Sequence, residues 1–315
     1  SLLSDRAFFE IRGGKMGYDW TNFSYAPDKF TYEDLDTNEV TGGNRNWQRD
    51  RHRAQVLTSL TYFQDGWGGT HNFKVGGDFF REIRRSWAGG LTRNPGGRNI
   101  EPESYLFMDM FHLTEDGVPA EIYRFEGPSV NDSRLWTYSG YGSDTWAVNR
   151  HLTLNLGVRF DRYRHYLPAQ SHNPGRQLTD GLNIVGVSSH CFSAACLAGG
   201  QDFPGQTLLT WNQIAPRFGA TFDLAGDGKT VVKANYAWYW WNPSADLADS
   251  VNANSTEWYQ RNDWADLNGN GHWDSGEEGE LTSFGGGTAG TALDPNIKDQ
   301  RTKEIAFWVE REIIP

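Results

Sequence analysis

The sequence predicts an all-β protein, an antiparallel up-and-down transmembrane β-barrel, and three observations support this. Segments in which apolar and polar residues alternate recur along the chain. Short and long connections between these segments alternate along the chain. The chain is only 37% hydrophobic, yet it contains 14 Trp, 13 Tyr and 18 Phe in 315 residues. Transmembrane strands combine these features because their lipid-facing and lumen-facing side chains alternate.

The clearest alternation lies in residues 151–164, where every second residue is apolar: Leu152, Leu154, Leu156, Val158 and Phe160. Successive side chains of a strand point to opposite faces, so these five share one face. Similar patterns predict seven further strands, at 7–12, 53–64, 70–81, 134–146, 216–224, 229–240 and 302–312. In 216–224 the apolar set is Phe218, Ala220, Phe222 and Leu224. In 134–146 aromatic and glycine residues leave the two faces ambiguous.

The connections alternate strictly in length. Tight turns are predicted at 65–69, 147–150 and 225–228, and long connections at about 17–50, 86–133, 165–211 and 241–300. Outer-membrane barrels have short periplasmic turns and long extracellular loops. A soluble β-sandwich or barrel also predicts alternating residues, but it does not predict that every second connection is long. A small closed barrel of eight strands is a further alternative.

Charge and motifs exclude several classes of function. The chain has 29 basic and 40 acidic residues and a net charge of -11, which argues against a nucleic-acid surface. It has no run of 18 or more apolar residues, so no transmembrane helix is predicted. A nucleophile elbow, an H-E-x-x-H motif and a phosphate-binding glycine loop are all absent from the sequence. We therefore expect no enzymatic activity.

Residues 266–277 fit the calcium-loop pattern D-x-[DN]-x-[DN]-G-x5-E at every fixed position. The predicted ligands are the side chains of Asp266, Asn268, Asn270, Asp274 and Glu277 and the backbone carbonyl of His272. Glu277 would bind through both carboxylate oxygens, and Gly271 permits the sharp turn. The alternative is a solvated acidic turn without an ion.

The motif lies in an acidic segment, residues 242–300, which we predict to be a long extracellular loop. This segment holds 11 acidic and 2 basic residues, a balance of -9. A bound Ca²⁺ would relieve this repulsion and order the loop, so its role would be structural.

Three further features concern possible sites. Cys191 and Cys196 predict a small disulfide loop in an oxidising compartment, with free thiols as the alternative.

The aromatic run 238–241 is typical of an interfacial girdle and could otherwise be a sugar-stacking platform. Alternation alone places five charged residues on the lumen side: Arg159, Asp161, Arg217, Asp223 and Lys233.

Four stretches carry a resemblance to a known family. They are 70–80 (THNFKVGGDFF), 141–163 (YGSDTWAVNRHLTLNLGVRFDRY), 212–239 (NQIAPRFGATFDLAGDGKTVVKANYAWY) and 293–312 (LDPNIKDQRTKEIAFWVERE). In this order they resemble the barrel of TonB-dependent outer-membrane transporters, in particular the Oar-like branch. Such transporters have a barrel of about 22 strands with a plugged lumen.

This resemblance implies that residues 1–315 are part of one outer-membrane barrel domain. The plug and TonB box are expected upstream of residue 1, and more strands after Pro315. The implied function is import of an unidentified solute across the bacterial outer membrane. The implied partners are outer-membrane lipid and the TonB complex, the latter through the missing N-terminal region. The alternative is a calcium-dependent, Trp-rich carbohydrate-binding or cell-surface adhesion β-protein.

Overall fold

The structure is a computed structural model that describes residues 2–22, 24–26, 29–45, 47–88, 91–93, 110–126, 129–172, 184–186 and 200–313. None of the described helices is long and apolar enough to cross a membrane. Within these residues the strands, numbered along the chain, are β1 (Leu2–Ser4), β2 (Ala7–Asn22), β3 (Thr31–Asp34), β4 (Val40–Gly42), β5 (Trp47–Asp65), β6 (Thr70–Ala88), β7 (Leu91–Arg93), β8 (Met110–Glu115), β9 (Val118–Phe125), β10 (Ser129–Ala147), β11 (Leu152–Leu167), β12 (Gln170–His172), β13 (Ile184–Gly186), β14 (Gln201–Phe203), β15 (Gln206–Asp223), β16 (Thr230–Trp240), β17 (Tyr259–Trp264), β18 (Glu278–Gly285) and β19 (Arg301–Arg311). One short helix, α1, covers Asp246–Asp249, and a 3-10 turn covers Ala253–Ser255.

Nine strands form one antiparallel sheet, the main sheet, in the order β1-β2-β5-β6-β10-β11-β15-β16-β19. Eight of these contain the eight predicted strands, and each pairs with its neighbour along the chain. The long connections therefore all leave the sheet at one end, as predicted. Within the described part of the chain, the edge strands β1 and β19 do not pair with each other. The antiparallel all-β prediction is confirmed, and the sheet is not closed into a barrel.

The register places the predicted apolar residues side by side on one face, the apolar face. Leu156 lies opposite Phe218, Phe218 opposite Tyr236, and Tyr236 opposite Ile305. Residues directly opposite each other in a sheet share a face. Leu156, Phe218 and Ile305 are 37%, 47% and 67% exposed. The other face, the polar face, carries the intervening polar residues, as the alternation predicted.

The register also resolves the ambiguous segment 134–146. Tyr138 lies opposite Phe79, so it belongs to the apolar face, as does Asp144 opposite Phe73. Asp144 sits near the tight-turn end of this face, where its carboxylate is 2.7 Å from Nδ1 of His71. A hydrogen-bonded partner reduces the cost of keeping a carboxylate on such a face.

The strands are longer than predicted at the end that bears the long connections. The first predicted strand ended at residue 12, but β2 continues through Asn22, and β6 continues through Ala88 instead of ending at 81. The connections are correspondingly shorter, at 23–46 and 89–128. We attribute this difference to the surroundings of these residues, which lie outside the membrane, where no face of a strand has to contact lipid. The backbone ladder continues there without needing alternating side chains.

Three of the long connections join in a second sheet, the loop sheet, in the order β18-β17-β9-β8-β3-β4. All of its pairs are antiparallel except β3 with β8. Met110, Ile122 and Trp264 form its core, with Phe30 and Trp273 packed against them. Two small pairs, β12 with β14 and β7 with β13, lie in the remaining parts of the connections. The described parts of the predicted long loops therefore contain paired strands.

Candidate functional site on the polar face

A charged network lies in the middle of the polar face. Arg159 donates from Nη2 to both carboxylate oxygens of Asp78, at 2.9 and 2.7 Å. Its Nε donates to Asp161 at 2.9 and 3.0 Å, and Ser139 donates to the same carboxylate at 2.6 Å. The predicted lumen-side pair Arg159 and Asp161 is thus brought together, in a network in which each charged group has a partner. Such a network holds β6, β10 and β11 in position.

The other predicted lumen-side residues have different partners. The guanidinium of Arg217 lies 5.2 Å from the ring centre of Tyr239, and Lys233 Nζ lies 2.6 Å from Glu310. Asp223 accepts N–H groups of Ala225, Gly226 and Gly228 in the tight turn after β15, at 3.3, 3.0 and 2.6 Å. Asp223 therefore shapes the turn, which is a structural role.

The long loop, residues 241–300, returns to the polar face. Ala245, just before α1, is fully buried and packs against Phe80, Leu135 and Tyr163 of the main sheet. Its N–H donates to Glu82 Oε1 at 3.1 Å. At the other end of the loop, Trp211 Nε1 donates to the carbonyl of Ile297 at 2.9 Å, and Gln213 bonds to Asp299. Both ends of this loop therefore cover the polar face.

Four charged residues hold α1 on the sheet. Arg51 of β5 and Arg84 of β6 lie directly opposite each other. Asp246 accepts a bond from Arg51 and lies 3.2 Å from Nε of Arg84, which also pairs with Asp249. Like charges directly opposite each other destabilise a sheet, so the two aspartates offset an unfavourable contact. Sequence reasoning missed this site, although Arg49, Arg51 and Arg53 alternate visibly.

The calcium-type motif forms a tight loop between β17 and β18. Asp266 accepts the N–H groups of Gly269 and Asn270 through Oδ1, at 2.7 and 3.1 Å, and that of Gly271 through Oδ2, at 2.8 Å. Gly271 has a φ of +81°, where a side chain would be strained. Glycine at this position is therefore required by the backbone, as the motif predicted.

The remaining motif residues complete the same hydrogen-bonded loop. Glu277 is buried and accepts the N–H groups of Leu267 and Asp274, at 3.0 and 2.9 Å. The amide nitrogens of Asn268 and Asn270 donate to Asp274 Oδ2 at 2.8 and 2.6 Å, and these bonds lower the pKa of Asp274. Ligation of calcium would require both amides to turn their oxygens towards the ion.

The loop sheet anchors the motif from outside. Tyr32 donates from its hydroxyl to the carbonyl of Gly271 at 2.7 Å. The ring of His272 stacks on Phe30 with centroids 4.8 Å apart, and the backbone N–H of His272 donates to Asn270 Oδ1 at 2.9 Å. The motif is thus attached to a segment more than two hundred residues earlier, with a separation of 239 between Tyr32 and Gly271.

His112 lies fully buried beneath the motif. Its Nε2 accepts the N–H of Trp273 at 2.9 Å, so the proton is on Nδ1, which lies 3.2 Å from the carbonyl of Thr31. Burial lowers the pKa of His112 to about 4. A neutral imidazole therefore joins β8, β3 and the motif at neutral pH.

A second group of ligand-type side chains was not predicted from sequence. Each of Asp19, Asp50 and His52 offers one oxygen or nitrogen ligand atom, and these three atoms lie within 4.8 Å of one another. Asp19 lies opposite Asp50 in the pairing of β2 with β5, and His52 Nε2 is 2.9 Å from Asp19. Sequence spacing could not reveal this group because strand pairing creates it. Cys191 and Cys196, by contrast, lie outside the described residues.

The comparisons with known proteins agree with this architecture. Residues 14–315 match the family described as outer membrane beta barrel domain. The chain belongs to this family. Its polar face is accordingly the lumen side of a barrel wall, and its apolar face is the lipid side, in the bacterial outer membrane.

A curated relative is the TonB-dependent transporter Oar of Myxococcus xanthus, which is 24% identical over 316 residues. The alignment covers 90% of this chain and 26% of the relative, so the chain spans about a quarter of that protein's length. This relative is a transporter, in agreement with the expectation of no enzymatic activity. The alternative of a carbohydrate-binding or adhesion protein is not favoured.

Solved structures of the ferric-catecholate import receptor Fiu from E. coli K12 also resemble the chain. For the closed form the TM-score is 0.42 at 15% identity, with 84% of this chain and 37% of that chain covered. For the open form the TM-score is 0.43 at 14% identity, with 85% of this chain and 42% of that chain covered.

The aromatic run of β16 lies at the loop end of the barrel wall. Trp238 and Trp240 share the lipid side, opposite Lys303 and Arg301, while Tyr239 is on the lumen side. This is the place at which outer-membrane barrels carry an aromatic girdle. The girdle interpretation stays a prediction, and the position favours it over a sugar-stacking platform.

Proposed function

We propose that the chain is part of the barrel of a TonB-dependent transporter that imports a solute across the outer membrane. The observation that carries this proposal is the return of the long loop to the lumen side, where α1 covers the sheet. A loop in this position would contact a solute that enters from outside. The likeness to Oar supports the same function. The solute itself is unidentified.

Energy for import would come from the TonB complex, as it does for transporters of this kind. The contact with TonB would use a TonB box and a plug, as in transporters of this kind. The long loop that covers the lumen side would narrow the path for a solute through the barrel.

Depletion of solutes from a complex medium tests this function without naming the solute. Cells that express the full-length protein are compared by mass spectrometry with cells that lack it, with and without a protonophore. We expect at least one solute to disappear faster only in energised cells that express the protein. Cells with Leu156→Arg, on the lipid side, serve as a control for failed assembly, and cells with Asn155→Arg as the matched assembled control. Equal depletion by all strains would contradict import.

We also propose that residues 266–277 bind Ca²⁺ in a structural role. The spacing of six oxygen-bearing residues and the left-handed Gly271 support this proposal. Three carboxylates, those of Asp266, Asp274 and Glu277, contribute charge. We expect modest affinity, at about 10⁻⁴–10⁻³ M, as in extracellular calcium modules. The ion would fasten the motif to the loop sheet and would leave the barrel wall unchanged.

A further inference from the structure

Above the apolar series of the lipid side lies a group of basic residues, which we call the basic belt. On β11, Leu152 to Phe160 are followed on the same face by Arg162 and Arg164, because alternate residues of a strand share a face. The register adds β10 and β6 on one side, and on the far edge strand β19 Arg301 and Lys303 lie opposite Trp240 and Trp238. Arg81 lies opposite Trp136, which lies opposite Arg164. The members of the belt are Arg81, Arg134, Arg162, Arg164, Arg301 and Lys303.

Aromatic rings alternate with these basic groups. The guanidinium of Arg164 lies 5.1 Å from the ring centre of Tyr166, and that of Arg301 lies 4.1 Å from Trp238. Arg162 lies opposite Tyr138, and both are exposed. Aromatic residues mark the boundary between lipid and water in membrane proteins. A guanidinium that stacks by its face keeps its N–H edge available for an oxygen ligand.

The charge of this face is ordered by height. Acidic residues occupy the next row towards the loops, where Asp19 lies opposite Asp50, Asp50 opposite Arg85, and Arg85 opposite Asp132. Asp132 is bonded to Arg85 at 3.0 Å and to Arg134 at 2.8 Å. Four of the six, Arg81, Arg134, Arg162 and Arg164, thus lie between the apolar series and this acidic row, in a chain whose net charge is -11. Arg134 is paired with Asp132. The other five belt residues form no ion pair within the described part of the chain, so their charges are available to an external anion.

The height of the belt identifies its surroundings. From Leu152 to Phe160 the strand rises by about 27 Å at roughly 3.4 Å per residue. With the usual strand tilt this is about 20 Å along the membrane normal, close to the apolar band of about 25 Å in such barrels. Arg162 therefore lies at the membrane boundary. Because the long loops are extracellular, this boundary belongs to the outer leaflet.

We propose that the basic belt binds the phosphate groups of phosphorylated lipids in the outer leaflet. Arginine matches phosphate with two parallel N–H···O bonds, and neighbouring aromatic rings support the attached acyl and sugar groups. The inference depends on the membrane orientation of the wall and is independent of which solute is imported. It adds a lipid ligand to a protein whose proposed ligands otherwise enter from the loop side.

Binding of purified lipopolysaccharide tests the proposal. The full chain in detergent is titrated with lipopolysaccharide, with the same lipid after removal of its phosphates, and with inorganic phosphate. The triple variant Arg81→Gln, Arg162→Gln, Arg164→Gln is compared with a control that loses three charges on the lumen side, Lys74→Gln, Arg217→Gln, Lys233→Gln. We expect the belt variant to bind about 100-fold more weakly, because each basic residue near an anionic lipid surface contributes on the order of fivefold.

The control should bind like the wild type, and dephosphorylated lipid should bind as weakly as the belt variant does. Equal binding by wild type and belt variant would overturn the proposal, as would binding that is insensitive to phosphate removal. Inorganic phosphate that competes at equal phosphate concentration would show an anion site without a lipid, which also overturns it. Heat-modifiable gel mobility verifies that each variant is folded. If the triple variant fails to fold, the single Arg162→Gln variant should show about fivefold weaker binding, and unchanged binding overturns the proposal.

Discussion

Arg51 and Arg84 lie directly opposite each other on the lumen side of β5 and β6, and the carboxylate of Asp246 contacts both guanidinium groups. The barrel wall therefore places two like charges together, and the long loop supplies the group that makes this arrangement stable. Wall and loop depend on each other at this contact.

Removal of the loop carboxylates should release α1 from the wall. In the double variant Asp246→Asn, Asp249→Asn, the bonds to Arg51 and Arg84 lose their ionic character, and partly exposed ion pairs are worth about 0.2–1 kcal/mol each. Since three such pairs are lost, we expect amide hydrogen exchange in residues 245–252 to become about 10-fold faster. Asp263→Asn, an exposed position in the same loop, is the matched control. Unchanged exchange in the double variant would show that apolar packing of Ala245 alone holds the loop.

Charge on the lipid side should impair assembly, whereas charge on the lumen side should be tolerated. Leu156 is in the middle of the apolar series, where a lipid-facing arginine costs about 2–4 kcal/mol. Its neighbour Asn155 is exposed on the opposite face. We expect Leu156→Arg to reduce the heat-modifiable, folded band on gels and Asn155→Arg to leave it unchanged. Equal behaviour of the two variants would contradict the assignment of faces.

Calcium should slow proteolysis between Asp263 and Glu280 and leave the barrel strands unaffected. The variant Asp266→Ala, Glu277→Ala should lose this protection. Because Glu277 also accepts two backbone N–H groups, Glu277→Gln is the better single variant, since it keeps an acceptor and loses the charge. Each variant is compared with itself in a chelator, which separates loss of the ion from loss of the fold. A wild-type cleavage rate that does not respond to calcium would leave the segment a solvated acidic turn.

The loop sheet should be stable at neutral pH and weaken in acid. Burial lowers the pKa of His112 to about 4, against 6.5 in an unfolded chain. Below pH 6.5 the unfolded loop therefore binds a proton that the folded loop does not. The contribution of His112 is complete above this pH and is lost as the pH falls to about 4, with a size of about 3 kcal/mol. Proteolysis of residues 110–126 at pH 7.5 and 4.5 measures this loss, and His112→Gln should reduce the difference between the two rates. An equal pH effect in both proteins would assign it to other groups.

The strands that cross the membrane were predictable because lipid imposes a pattern on them. Leu156, Phe218 and Ile305 alternate with polar residues, and this alternation alone assigned them to one face in the order that the structure shows. The strand extension that follows residue 12 in β2 was not predicted. Its apolar residues, Met16, Tyr18 and Trp20, lie on the face opposite to Phe9 and Ile11, so the alternation changes phase after residue 12 and the lipid-facing pattern ends there.

The loop sheet and the contact with α1 were not predictable from local pattern either. Their stability comes from residues far apart in the chain, as with Asp246 and Arg51, which are separated by 195 residues. The calcium motif was recognisable because its ligands are contiguous. The group Asp19, Asp50 and His52 was not, because two strands must pair before these residues meet.

The parallel pairing of β3 with β8 has a consequence for the order of folding. Contacts between these strands span about 80 residues, as between Asp34 and Thr114, and contacts between β9 and β17 span 136, as between Arg124 and Gln260. Closing loops of this length costs conformational entropy before any contact rewards it. The hairpins of the main sheet shorten these distances, so the loop sheet is expected to assemble after them. A barrel whose assembly stops part-way would therefore expose unpaired outer loops. A complete loop sheet would then indicate that the main sheet has already formed.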